Sequence, residues 1–318
     1  MSDVRQNSLF YLHPNSPEEI NKRTPLSATV QLFKDHLIRE GKTENTIKSF
    51  ESDLELVINY LDGATPVGEF TTTMLSNFMY WLDNDRGVPC SRKSYARRVT
   101  TIKVYFKWLF TLGAVSHDPA KALLQRSGPA PLSHVLSQEE IDGCIDFSRR
   151  MKRGDEQDYR PEMLLRLLVD TGIKKSEIER ITDDDIDRLN PQQPILLIRH
   201  KTKNQYKERR IALDSDWLKV YDLYRQQYPS KPGSDKIITC TTRNLEYILT
   251  DIGEGADVPF KLSFEVLRWT SAVQDYRRGT DEDLIREKLG LSKVSWYETG
   301  QKIKTLSEQL DNESAKQP

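Results

Sequence analysis

No run of about 18 apolar residues, the length a membrane-crossing helix needs, occurs in this chain of 318 residues. Its opening stretch, MSDVRQNSLFYLHPNSPEE, has neither the basic start nor the apolar segment of a secretion signal. A cytoplasmic protein without membrane contact is expected. Cysteine is scarce: Cys90, Cys144 and Cys240 lie far apart and form no C-x-x-C pair, which argues against a zinc site or a disulfide framework. Histidine is scarce too. His13, His36, His117, His134 and His200 are the only five, so none follows Leu262. A glycine-rich phosphate loop is missing, and Gly253–Gly255 (GEG) lacks the context of such a motif and reads as a turn. No metal, nucleotide or other small-molecule cofactor is expected. Net charge is −1, which by itself does not point to nucleic acid, so any such argument must rest on where the charges sit.

What is present describes a soluble, strongly solvated chain, 37% hydrophobic and 30% charged, long enough for two domains. Residues 1–25 carry Pro14, Pro17 and Pro25 among polar neighbours and read as a flexible arm. Helical spacing of Val30, Phe33, Leu37 and Ile38 then predicts a helix over Leu26–Glu40, ended by Gly41. A second helix starts behind a Thr43 cap and runs to Gly63, a third spans Thr71–Asp85 and a fourth Ser91–Leu112, closed by Gly113. Residues 26–124 therefore form a helical domain. The linker is the Gly/Pro/Ser-rich stretch at 125–134 (QRSGPAPLSH).

In the second domain, 135–310, Ser137 and Glu140 form a capping box, and Pro161–Thr171 is a helix stopped by Gly172. The short β-favouring runs Ile195–Ile198 and Arg209–Leu213 read as a hairpin joined by a basic loop. Helical periodicity resumes at Asp216–Tyr228, Thr242–Asp251, Ser263–Arg278 and Asp281–Leu289. A capping box of Ser295 with Glu298 opens the last helix, and 311–318 is a disordered tail. The expected fold is mainly α with a small β-hairpin or sheet, in two domains.

Positive charge is clustered. Arg92, Lys93, Arg97, Arg98, Lys103 and Lys107 share a stretch without one acidic residue, and the hairpin carries Arg199, His200, Lys201, Lys203, Lys207, Arg209 and Arg210 with only Glu208 opposing. Two such clusters on separate domains would grip a duplex from both sides, each neutralised phosphate releasing counterions. Solvated faces without a partner are the alternative.

At this point the chain resembles the tyrosine recombinase (phage integrase) family, of the archaeal or mobile-element kind. His36–Leu61 (HLIREGKTENTIKSFESDLELVINYL) and Ser94–Ala120 (SYARRVTTIKVYFKWLFTLGAVSHDPA) are similar to the family's SAM-like core-binding domain. Val135–Ile141 (VLSQEEI) and Leu167–Asp187 (LLVDTGIKKSEIERITDDDID) are similar to the start and the T-G-x-R-x-S-E segment of its catalytic domain. The resemblance implies double-stranded DNA as partner, a homo-oligomer on DNA, a location at the nucleoid, and a site where two arginines, a hairpin lysine, two His-type residues and a tyrosine surround one phosphate. Residue by residue, Lys174 stands at the first arginine, Lys201 or Lys203 at the hairpin lysine, Glu265 at a histidine and Arg268 at the second arginine. Leu291 stands at the second histidine. Tyr297, the last tyrosine, comes three residues sooner than the family spacing, either as nucleophile or as a packing residue beside Trp296. With these departures the expectation is a DNA-binding relative whose strand cleavage is weak or absent. A working recombinase using Tyr297, and a helical protein-binding adaptor, are the other readings.

Overall fold

The structure, a computed structural model, describes residues 13–125, 131–202 and 205–314, the side chains of His200–Thr202, Gln205–Lys207, Glu313 and Ser314 excepted. The chain divides into two compact units between Pro131 and Leu132.

The first unit holds α1 (Leu26–Arg39), α2 (Glu44–Leu61), α3 (Thr72–Asn84) and α4 (Arg92–Thr111). The hydroxyls of Thr43, Thr71 and Ser91 accept the N–H groups of Thr46, Met74 and Ser94, so three of the four helices start on a side-chain cap. Phe33, Leu54, Phe78, Tyr105, Phe106 and Leu109 meet at the centre, with Phe33 edge-on to Tyr105 at 5.2 Å. Residues 13–25, expected as part of a flexible arm, are instead bound to this unit. Ile20 and Thr24 are buried, Pro17–Glu19 form a 3-10 turn, and the N–H groups of Val67 and Gly68 bond the carbonyls of Thr24 and Lys22. One apolar residue among prolines sufficed to anchor the segment. The preceding residues of the expected arm lie outside the described ones.

A single carboxylate stitches α2 to α4 inside this core. Asp53, 2% exposed, accepts from the Arg97 guanidinium and the Thr101 hydroxyl, both at 2.8 Å, and lies 3.5 Å from Arg98 Nε. Burial pushes its carboxyl up, against the pull of Thr101, Arg97 and Arg98.

The second unit starts with α5 (Gln138–Arg150), opened by the expected Ser137–Glu140 capping box. A two-stranded ladder that the sequence did not suggest, β1 (Lys152–Arg153) with β2 (Glu156–Gln157), leads into α6 (Tyr159–Thr171), which begins two residues before the expected Pro161 because Asp158 caps it. After the single turn α7 (Lys175–Ile178) comes an antiparallel sheet in the order β3 (Ile186–Asp187), β4 (Ile195–Thr202), β5 (Gln205–Ala212). The hairpin strands are longer than their apolar runs: pairing continues from Ile195↔Ala212 to Thr202↔Gln205 and carries the basic residues into the ladder. Five helices follow: α8 (Ser215–Gln227), α9 (Thr242–Gly255), α10 (Phe264–Arg277), α11 (Glu282–Lys288) and α12 (Lys293–Ser314).

Two expectations fail here for identifiable reasons. Gly253–Gly255 is the last turn of α9, not a loop: a Cβ on Gly253 would stand 2.8 Å from that of Leu262, so close packing selects the glycine. The final helix begins before the Ser295–Glu298 pair, because Ser292 caps it through the Ser295 N–H at 3.1 Å while Glu298 pairs with Lys302 at 2.6 Å. It also continues through the expected tail as far as Ser314, with Asp311 bonded to Arg277 at 2.8 Å. No described helix is long and apolar enough to cross a membrane.

Because Asp53 is the only carboxylate facing Arg97, Arg98 and Thr101 in the contacts described, Asp53→Ala is expected to cost the first unit about 3 kcal/mol. Hydrogen exchange at the buried amides of α2 and α4 checks this. Protection that is unchanged would show the buried pair to be dispensable.

Candidate functional site

The site is assembled from two turns, a helix and a strand. Helix α6 ends because Gly172 takes φ +57, with Ser271 Cβ 3.2 Å from where a side chain would begin. Ile173 is then buried and Lys174 becomes the residue before α7, its backbone N–H donating to Glu177 Oε2 at 2.7 Å. From α10, Arg268 donates Nη1–H to the freed Gly172 carbonyl and Nη2–H to the Leu289 carbonyl. Leu289 belongs to the turn between α11 and α12, where Gly290 has φ +63. From β5, Arg209 enters the same place. Its Nη1 and Nη2 reach the two oxygens of Glu177 at 2.9 and 2.8 Å, and its Nε donates to the Lys288 carbonyl at 2.9 Å.

Burial, the charge of Arg268 and then that of Arg209 hold the Lys174 ammonium below the usual lysine range, against the pull of Glu177, although Lys174 remains exposed as a residue. Burial likewise pushes Arg268 down to about 10, which still leaves it cationic at neutral pH. For Glu177, burial acts upward but the bonds and charge of Arg209 outweigh it, so its carboxyl lies below the usual range. Lys174, Arg209 and Arg268 thus gather around the single carboxylate of Glu177. A half-buried pair of cations with donors to spare suits a phosphate oxygen better than a neutral ligand.

Of the residues read from sequence, Lys174 and Arg268 are thus brought together. Glu265 is exposed on α10 and does not pair with Arg268, whose guanidinium goes to the two carbonyls. Tyr297 is 79% exposed in the second turn of α12, with no partner among the described residues, while Trp296 packs against the cluster of Ala272, Val273, Ile303 and Leu306. The packing role belongs to Trp296. Lys201 lies on the backbone of β4, and Lys203 is outside the described residues; nothing is described of the side chains of Lys201, His200 and Lys207.

The basic clusters divide into engaged and free members. Arg97 and Arg98 lie in ion pairs with Asp53, Arg199 with Asp185 at 2.6 Å, and Arg209 with Glu177. Arg210, mostly exposed, lies 3.7 Å from Glu208. Arg92, Lys93, Lys103 and Lys107 have no partner among the described residues, and at about 100° per residue they fall within an arc of roughly 100° on the face of α4 opposite its core. The sequence reading missed Glu177 as a site residue and Arg209 as its partner. The only available signal was the S-E pair following T-G-x-K.

The family described as phage integrase, N-terminal SAM-like domain, matches residues 30–113. The tyrosine recombinase XerC of Mycobacterium sp. (strain JLS) is 25% identical over 164 residues, 51% of this chain and 55% of that protein, so the chain spans about half the length of that relative in the match. The tyrosine recombinase XerC of Staphylococcus saprophyticus is 24% identical over 281 residues, covering 84% of this chain and 89% of the relative. Among solved structures, the XerH site-specific recombinase bound to palindromic difH substrate shares the fold, with TM-score 0.69 and 18% identity over 91% of this chain and 84% of that one.

Beside the site lies a cleft of about 1170 Å³, lined among others by Lys174, Arg209, Asp170, Asp214 and Lys288. Burial and the neighbouring Asp214 raise the Asp170 carboxyl to about 6, against Lys288, Arg166 and Arg278. Above pH 6 the group is ionised in both folded and unfolded chains and the fold bears the desolvation cost; below about 4 both forms are neutral and the cost vanishes. Stability is therefore expected to fall as pH rises from about 4 to 6, and Asp170→Asn to stabilise the second unit by about 2 kcal/mol at pH 7 but not at pH 4. Urea unfolding at the two pH values checks it.

Proposed function

We propose that this chain, a member of the tyrosine recombinase family, binds double-stranded DNA through both units, clamping the duplex between them, and cleaves its strands weakly or not at all. The observation that carries this reading is Arg268, fixed by two backbone carbonyls with Lys174 beside it. Such an arrangement holds a backbone phosphate without needing a base sequence, and the free cations of α4 add contacts that position the duplex. Support from outside comes from the XerH structure, which was solved on its DNA substrate.

Weak cleavage follows from what surrounds that phosphate. A phenol attacking a phosphodiester builds negative charge on the equatorial oxygens and on the leaving oxygen, and each donor absent from such a site costs on the order of 100-fold or more in rate. Leu291 offers an alkyl group, and Glu265 an acid, where the family resemblance implies donors. Lys174 keeps a charge but not a two-pronged guanidinium. The second reading, an active recombinase, has one observation in its favour: Tyr297 is exposed and has no partner among the described residues.

Retardation of duplex DNA at low salt is expected, with affinity falling steeply as salt rises. Lys103→Ala and Lys107→Ala should each weaken binding evenly across sequences and lower the salt slope by about 1. Failure to retard any duplex at low salt would remove the DNA assignment and leave a protein-binding helical scaffold. A nicked suicide substrate separates the two enzymatic readings: a covalent adduct lost in Tyr297→Phe would establish cleavage, whereas none is expected.

A further inference from the structure

We infer that Arg209 is a positioning residue for the phosphate-holding pair Lys174 and Arg268, acting through Glu177 and the turn between α11 and α12 rather than by touching DNA. The inference rests on the reading that those two cations hold a phosphate.

All the donor directions of Arg209 that the structure describes go to protein. Two parallel bonds engage both oxygens of Glu177, and Nε–H reaches the Lys288 carbonyl. At 15% side-chain exposure it is shielded from solvent. Its guanidinium also lies against Gly290, where a Cβ would come within 2.7 Å of Nη1, so a side chain there would crowd the arginine. The same turn presents the Leu289 carbonyl to Arg268. On the other side, Glu177 accepts the Lys174 N–H and so fixes where that lysine leaves the backbone. One guanidinium therefore sets the placement of two elements, each of which orients one of the cations. A lysine at this position has three donors on one nitrogen but lacks the planar fork that spans both Glu177 oxygens and the Lys288 carbonyl at once.

The arrangement makes electrostatic as well as geometric claims. Arg209 repels Lys174 and neutralises Glu177, and removing it should free the carboxylate to stabilise the lysine's charge.

The test compares wild type, Arg209→Gln, Arg209→Lys and Gly290→Ala in the full chain. Two readouts are used: the titration of Lys174, followed by NMR of reductively ¹³C-methylated protein with Lys174→Arg to assign the signal, and the retardation of a duplex at low salt. Arg209→Gln is expected to move the Lys174 titration upward and to weaken duplex binding by about tenfold, with Gly290→Ala producing a smaller loss and Arg209→Lys restoring the titration but not the affinity. A merely structural arginine would lower stability and leave the Lys174 titration in place. That outcome overturns the inference, as does an unchanged titration together with unchanged affinity. If the glutamine variant does not fold, the lysine and alanine variants decide. Should the wild type itself fail to bind DNA, the DNA reading falls, while the Lys174 titration still decides whether Arg209 controls that residue.

Discussion

A buried arginine needs its donors met, and in this protein that requirement organises the second unit. Arg209 and Arg268 approach the same turn from a strand and from a helix, and both are satisfied largely by backbone carbonyls and one carboxylate. Left unpaired at that depth, a guanidinium would cost several kcal/mol. Paired this way, it holds three stretches of chain that are distant in sequence: Arg209 reaches Glu177 across 32 residues and Lys288 across 79, and Arg268 reaches Gly172 across 96. The two glycines in the left-handed region, Gly172 and Gly290, are what allow carbonyls to turn toward these guanidiniums.

This explains which parts of the structure were legible beforehand. Helices announced themselves locally, by the Thr43, Thr71, Ser91 and Ser137 caps and by glycines such as Gly41, Gly113 and Gly172. Lys174 and Arg268 could be found because they stand in short segments whose order resembles a known family. The hairpin's extent could not, since a strand carrying Arg199, His200 and Lys201 has no apolar alternation and extends only because its partner completes the ladder. Nor could the function of Arg209. Charge in a sequence reads as solvated surface until the carboxylate that meets it is known, and here that carboxylate lies on another element.

The same reasoning changes how the basic clusters are counted. Arg97, Arg98, Arg199 and Arg209 look identical to Arg92 or Lys107 in a census of charge, yet each lies within ion-pair distance of an acid in the fold. An arginine so engaged contributes little to counterion release on a duplex, because breaking its bond to a buried carboxylate would leave that carboxylate uncompensated. The cations left over on α4 lie on one face, which is why a chain of net charge −1 can still present a locally positive surface. At physiological salt, charges more than about 8 Å apart are screened from one another, so the overall balance says little about what that face attracts.

Holding a phosphate and breaking its ester place different demands on a site. Holding needs positive charge in a fixed place, and Arg268 with Lys174 supply it through anchors that do not involve the ligand. Breaking the ester needs, in addition, groups that gain or lose a proton at particular oxygens during the reaction. The segment in which the family resemblance implies histidines contains Glu265 and Leu291, the one unable to donate while ionised and the other unable to donate at all. The cationic pair of Lys174 and Arg268, with its two glycine turns and its supporting ion pair, is built from backbone carbonyls and Glu177 and owes nothing to Glu265 or Leu291.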